Sequence, residues 1–192
     1  MSEIFFVRHG QASFGADNYD RLSPLGVRQA KILARYLAQT GKIFDAVYYG
    51  KMERQQKTAE EFLIHYRENQ LAISRPQVDD TFNEYDSIAV WEALIPEMTA
   101  EQPALAGELQ KLPGDQKAFQ RVFSQVMDRW TRGEYKASNI PRWDDFTRRV
   151  VKGVEKITTR HGAKKRLAVF TSGGPISVAV KSALGLSDRM TL

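Results

Sequence analysis

Two copies of the tripeptide Arg-His-Gly hold two of the three histidines in this 192-residue chain. Arg8-His9-Gly10 directly follows the apolar run Ile4-Phe5-Phe6-Val7. A histidine there is placed to act, because ligand sites of parallel α/β sheets lie beyond the carboxyl ends of the strands. Three other groups stand at comparable points. Arg54 comes just after the aromatic and branched run at 44–50. The turn Thr171-Ser172-Gly173-Gly174-Pro175 follows Leu167-Ala168-Val169-Phe170. Glu84 and Asp86 lie in Phe82-Asn83-Glu84-Tyr85-Asp86, soon after a stretch at 76–80 that reads as leading into or forming a short strand. Two guanidiniums, one imidazole, one carboxylate and a glycine-rich turn ahead of a helix make a phosphate pocket with a candidate nucleophile and a candidate acid. The bland alternative leaves each arginine in a surface ion pair and each glycine serving only its turn.

The second copy, Arg160-His161-Gly162, ends a helix-patterned segment. Gly162 is a natural residue just past a helix end, and Arg160 and His161 complement the negative end of the helix dipole. It therefore reads as a helix stop, and loss of His161 should cost roughly 0.3–1 kcal/mol of stability and little activity. His65, among Tyr66, Arg67 and Glu68, reads as structural or exposed.

The elements that must carry these residues follow from periodicity. Residues 4–7 and 167–170 are short, continuously apolar runs, as expected of strands buried on both faces. Residues 23–41 read as a helix with Ser23 as N-cap, Pro24 at the first position and Gly41 as the left-handed stop. A strand at 44–50 and a helix from about 51 follow. The turn at 171–175 leads into a helix with Pro175 at its start and Gly185 past its end. Alternating strands and helices predict a three-layer α/β/α domain with a mostly parallel central sheet, spanning 1–192. From about 88 to 145 the pattern is helical, interrupted by Pro96, Pro103, Pro113 and Pro141, and predicts a helical insertion over the strand C-terminal ends. The segment at 143–162 returns to the core as a helix whose apolar side carries Val150, Val151, Val154 and Ile157.

Composition narrows the functional classes. With no cysteine, neither disulfides nor thiolate metal sites can form. The N-terminus lacks a basic stretch followed by an apolar one, and no apolar run approaches the ~20 residues of a membrane span. A cytoplasmic protein without a membrane partner is expected. The formal net charge is +5, read as a solvated surface or as a pocket for an anionic substrate. The densest basic stretch, 160–166, has no aromatic residue for base stacking, so it is expected to be a solvated loop and not a nucleic-acid site.

These residues together resemble the histidine phosphatase superfamily, also called the phosphoglycerate mutase-like family. "VRHGQASFG" is similar to its N-terminal signature, "LSPLGVRQA" to its L-T-x-x-G-x-x-Q-A helix start, and "YYGKMERQQKTAE" to its S-P-L-x-R-x-x-Q-T-A segment. "FNEYD" resembles the L-x-E stretch, and "WDDFTRRV" the E-S-x-x-x-F-x-x-R-V helix. The resemblance implies that His9 takes a phosphoryl group and passes it to water. Arg8 and Arg54 would grip phosphate oxygens and favour the neutral imidazole by like-charge repulsion. Glu84 would donate a proton to the leaving alkoxide and then activate water. Ser13, Ser172 and Gly173 would join Arg8 and Arg54 around a small phosphorylated substrate. No metal or cofactor is implied, and no usual metal-ligand spacing occurs.

Two departures stand out. Ser172 occupies the position of the family's second histidine, and a neutral donor in place of a charged one forfeits roughly 1 kcal/mol or more. This leaves three readings: a phosphomonoesterase, a phospholigand-binding or regulatory protein with little turnover, and, third, a phosphoglycerate-type mutase. The family also continues with further sheet and helix where this sequence stops, so a shortened C-terminal end is expected. The oligomeric state is open, a dimer included.

Overall fold

The structure is a computed structural model that describes residues 2–13, 18–112 and 114–188. Four strands form one sheet: β1 (Glu3–Arg8), β2 (Ala46–Tyr49), β3 (Gln77–Val78) and β4 (Arg166–Thr171). Their order is β1-β4-β2-β3 and every pairing is parallel. The register sets Val7 against Phe170 and Arg8 against Thr171, so Arg8 and the 171–175 turn leave the sheet at the same end. The helices are α1 (Pro24–Gln39), α2 (Glu53–Glu68), α3 (Ser87–Glu101), α4 (Leu105–Leu109), α5 (Gln116–Arg132), α6 (Trp143–His161) and α7 (Gly173–Leu184). A 3₁₀ turn, Asp80–Phe82, follows β3.

The chain divides into two compact units. The first comprises Met1–Glu84 and Val150–Ala179. Successive residues of β4 point to opposite faces, and the core divides accordingly. Ala168 and Phe170 pack with Val7 and Val47 against Ala34, Leu37, Phe62 and Tyr66 of α1 and α2. Leu167 and Val169 pack with Ala46 and Tyr48 against Ile157 of α6 and Phe82. Sheet between helices gives the expected three layers. The second unit, Tyr85–Arg149 and Val180–Leu192, is helical and has no strand among its described residues. Trp130, Trp143, Phe146 and Tyr85 form an aromatic cluster there, with neighbouring ring centroids 4.4–6.2 Å apart.

The caps of α1 follow the sequence. Ser23 Oγ accepts from Gly26 N at 3.0 Å, Pro24 opens the helix, and Gly41 stands at φ 67°. Three expectations are corrected. Strand β1 does pack on both faces, Phe5 and Val7 on the α1–α2 side and Ile4 and Phe6 on the α6 side, but it is less buried than expected. Among the described residues it pairs only with β4, and as an edge strand it has only Val7 buried, with Ile4, Phe5 and Phe6 half-buried. Helix α7 starts at Gly173, two residues before Pro175. Proline is tolerated there because first-turn N–H groups have no intrahelical partner. The third concerns the second Arg-His-Gly. It does stop α6, with Gly162 at φ 68° and its N–H on Thr158 O at 3.0 Å. Yet His161 is more than a dipole partner, for its Nε2 is hydrogen-bonded at 2.8 Å to the hydroxyl of buried Tyr48 on β2. Arg160 donates to Gln77 on β3 at 2.7 Å. The 162–165 loop is exposed, and Lys165 is paired with Asp45. Among the described residues no helix is long and apolar enough to cross a membrane.

Candidate active site

At the carboxyl end of β1 the ladder continues by one bond, from His9 N to Thr171 O at 2.9 Å. The chain then runs directly onto the first turn of α1. A Cβ on Gly10 would lie 2.3 Å from the carbonyl oxygen of Gly26, and one on Gly26 would lie 2.2 Å from that of Gln11. Both distances are impossible for real side chains, so glycine is required on each side of this contact. Gln29 of α1 holds the same segment by accepting from Gln11 N at 2.8 Å, and Ser23 N donates to Gln11 O at 2.9 Å. Thr58 of α2 accepts from Gly10 N at 3.1 Å and donates to Arg54 O at 2.7 Å. The residues of the "LSPLGVRQA" and "RQQKTA" stretches thus position the backbone that directly follows His9.

The two ring nitrogens of His9 have different neighbours. Nδ1 lies 2.7 Å from Gly10 O, which can only accept, so Nδ1 carries the hydrogen. Nε2 is left with its lone pair and accepts from Arg54 Nε at 3.1 Å. Burial pushes the imidazole pKa down to about 4, against the Gly10 hydrogen bond and with help from the Arg54 and Arg8 charges. His9 is therefore neutral at physiological pH, with its basic nitrogen at Nε2.

Arg54 is buried, and its Nη1 forms an ion pair with Asp20 Oδ1 at 2.6 Å. Tyr19 places its ring 5.7 Å from the same guanidinium. Arg8 is exposed and makes no hydrogen bond or ion pair among the described residues. With His9 it lines a cleft of about 430 Å³, which Gln11, Tyr19 and Gln29 also border. Of the two arginines, Arg54 is thus ion-paired from a buried position, while Arg8 has no such pair among the described residues.

Ser172 is fully buried, and its Oγ accepts from Gln55 Nε2 at 2.8 Å. Gln55, the residue after Arg54, also reaches Phe82 O at 3.3 Å, while its Oε1 has no hydrogen-bond partner among the described residues. Gly50 leaves room for that amide, since a Cβ there would stand 1.9 Å from Gln55 Oε1. Glu84 Oε2 accepts from Gly174 N at 2.9 Å, in the first turn of α7. Gly173, the first residue of that helix, has open space where a Cβ would be. Ser13 is half-buried and donates its N–H to Arg21 O at 2.7 Å. Among the described residues, no three of His, Asp and Glu are grouped as a metal ion would need.

The residues named from sequence thus fall into two sets. His9, Arg8 and Arg54 meet directly at the end of β1. Ser172, Gly173 and Glu84 are fixed around the start of α7 and connect to Arg54 through its neighbour Gln55. Asp20 and Gln55 were missed. Both sit beside recognised residues, but neither type is distinctive, and their partners lie 34 and 117 positions away.

Among solved structures, Bacillus stearothermophilus YhfR superimposes with a TM-score of 0.66 at 16% identity, covering 100% of this chain and 84% of its own. A phosphoserine phosphatase from Entamoeba histolytica, in complex with phosphoserine, gives 0.63 at 15% identity, with 100% and 84% covered. A phosphoglycerate mutase from Bacillus anthracis gives 0.58 at 19% identity, with 93% and 78% covered. At such identities these matches establish the fold, which accommodates both phosphatases and a mutase. No curated protein sequence matches significantly. The family model of the histidine phosphatase superfamily (branch 1) matches residues 4–191, and with the fold in agreement over that span, this chain belongs to that superfamily.

Proposed function

We propose that this chain is a metal-independent phosphomonoesterase acting on a small phosphorylated substrate through a phosphohistidine on His9. The supporting observation is the state of that ring: Nδ1–H is committed to Gly10 O, and the neutral Nε2 faces a buried guanidinium. In the first step Nε2 attacks phosphorus, the P–O bond to the leaving group breaks, and protonated Glu84 gives its proton to the departing alkoxide. In the second step water attacks phosphorus, Glu84 takes a water proton, the Nε2–P bond breaks and inorganic phosphate leaves. Arg54 and the exposed Arg8 supply charge to the equatorial oxygens, where the transition state gathers it.

Turnover of p-nitrophenyl phosphate and a panel of phosphorylated metabolites, with chelator present, tests this reading. The expected result is hydrolysis by the wild type, none by His9→Ala, and acid-labile, base-stable phosphate on His9 after a quench. Wild-type turnover no greater than that of His9→Ala would falsify it.

Burial of Ser172 favours a second reading, a phospholigand-binding protein with little turnover. The side chain is sealed against Gln55 and supplies no charge to a phosphate. Ser172→His separates the two. In an impaired enzyme the imidazole raises turnover; in a binding protein affinity changes while hydrolysis stays at background. Since the new ring must displace the Gln55 amide, Ser172→His combined with Gln55→Ala is the fair form of the experiment.

A further inference from the structure

Four consecutive residues, Asn18 to Arg21, are fastened to the first two residues of α2. Asn18 Nδ2 donates to Glu53 Oε2 at 3.0 Å, and Arg21 pairs with Glu53 at 3.3 Å. Tyr19 lies over the Arg54 guanidinium. Between them, Asp20 accepts from Glu53 N through Oδ2 at 2.8 Å and, at a longer 3.4 Å, from Arg54 N through Oδ1. The helix's own N-cap residue, Met52, has no side chain to do this, so Asp20 caps α2 from another part of the chain. The same carboxylate takes Arg54 Nη1 at 2.6 Å. Arg54 then has one edge on Asp20 and its Nε on His9 Nε2, the lone pair that must attack phosphorus.

We propose that Asp20 is a positioning residue of this site: fixed to the α2 N-terminus, it is the resident anion of Arg54, holds the guanidinium against His9 Nε2, and is the group with which an incoming phosphoryl oxygen competes. Substrate binding is then an exchange of anions at Arg54. The phosphoryl group draws the guanidinium from Nε2 and frees the lone pair as the reacting phosphorus arrives. Without phosphate the nucleophile stays capped. The charges acting on His9 agree, since Arg54 disfavours its protonation while Asp20 favours it. The role of Asp20 as competitor rests on the phosphatase reading; its hold on Arg54 does not.

The variant to make is Asp20→Asn. Its amide oxygen can still accept from Glu53 N, so the helix cap is kept while the charge is lost. Two measurements are needed: inorganic phosphate affinity by calorimetry, and the ¹⁵N shift of His9 Nε2 at neutral pH without phosphate. The expected result is phosphate binding tighter by on the order of tenfold, lower kcat as Arg54 is less firmly placed, and an Nε2 signal moved towards that of a free imidazole nitrogen. A merely structural Asp20 would lower the thermal midpoint without tightening phosphate binding. A folded Asp20→Asn with wild-type phosphate affinity and an unmoved Nε2 signal overturns the proposal. If wild type binds no phosphate while the Nε2 signal still moves in the variant, the hold on Arg54 stands and the phosphatase reading fails.

Discussion

At His9 the protonation state of one ring links mechanism and stability. Its pKa of about 4 in the folded chain compares with 6.5 when the ring is free. If neutral Nε2 is the nucleophile, the acid limb of kcat/KM from this residue lies near pH 4 and not near 6.5, which a pH–rate profile measures directly. Stability follows from linkage. Between pH 6.5 and 4 the unfolded chain binds a proton at His9 that the folded chain does not, so stability falls as pH is lowered through that window. Urea unfolding at pH 7 and pH 5 should show this loss in wild type and a smaller one in His9→Gln; equal losses would contradict the assignment. His161 makes a second contrast at this scale. His161→Ala leaves the buried Tyr48 hydroxyl without its partner, so the expected cost is about 1–3 kcal/mol, more than the dipole interaction read from sequence. Activity should be nearly intact. Thermal midpoint and kcat/KM for both histidine variants separate the two roles.

At the scale of elements, the approach of the 10–11 segment to the first turn of α1 decides which glycines matter. Gly26→Ala places a Cβ 2.2 Å from a backbone oxygen that cannot rotate away. The expected cost is about 1–3 kcal/mol, with loss of activity as Gln11 shifts beside His9. Gly107, inside α4, has nothing within 4 Å of a Cβ. There the same change should be neutral or stabilising by about 0.5–1 kcal/mol, because alanine has the better helix propensity. Denaturant midpoints of the two variants check the contrast, and a Gly26→Ala as stable as wild type would mean that the close approach is not real. The start and stop of α1 were legible because Ser23, Pro24 and Gly41 act on their own backbone. The start of α7 was misplaced because Pro175 was read as its first residue, although a first-turn proline is tolerated anywhere among the unpaired N–H groups. The burial of β1 was overestimated because an apolar run does not report whether a strand has one neighbour or two.

For the molecule as a whole, the carboxylates held below their ordinary range act in the same direction as His9. Asp79 is lowered by Thr81 and Lys156 against its own burial, and Asp188 by Lys181 and Trp143 against burial. Such groups contribute stability above their unfolded pKa that is lost as pH falls through the folded value. Loss of stability should therefore continue below about pH 4, where these carboxylates take over from His9, and circular dichroism against pH would show it. The sequence alone determined the alternation of strands and helices, the parallel sheet, and the placing of the first Arg-His-Gly after a strand and of the second at a helix end. Each of these rests on local periodicity, capping or position after a strand. Tertiary structure decided which nitrogen of His9 keeps its lone pair, that Asp20 holds Arg54, that Gln55 seals Ser172, and that His161 anchors α6 to Tyr48. The last three contacts join residues 34, 117 and 113 positions apart. They exist only once the order β1-β4-β2 has brought the ends of separate strands together, and no local pattern encodes that order.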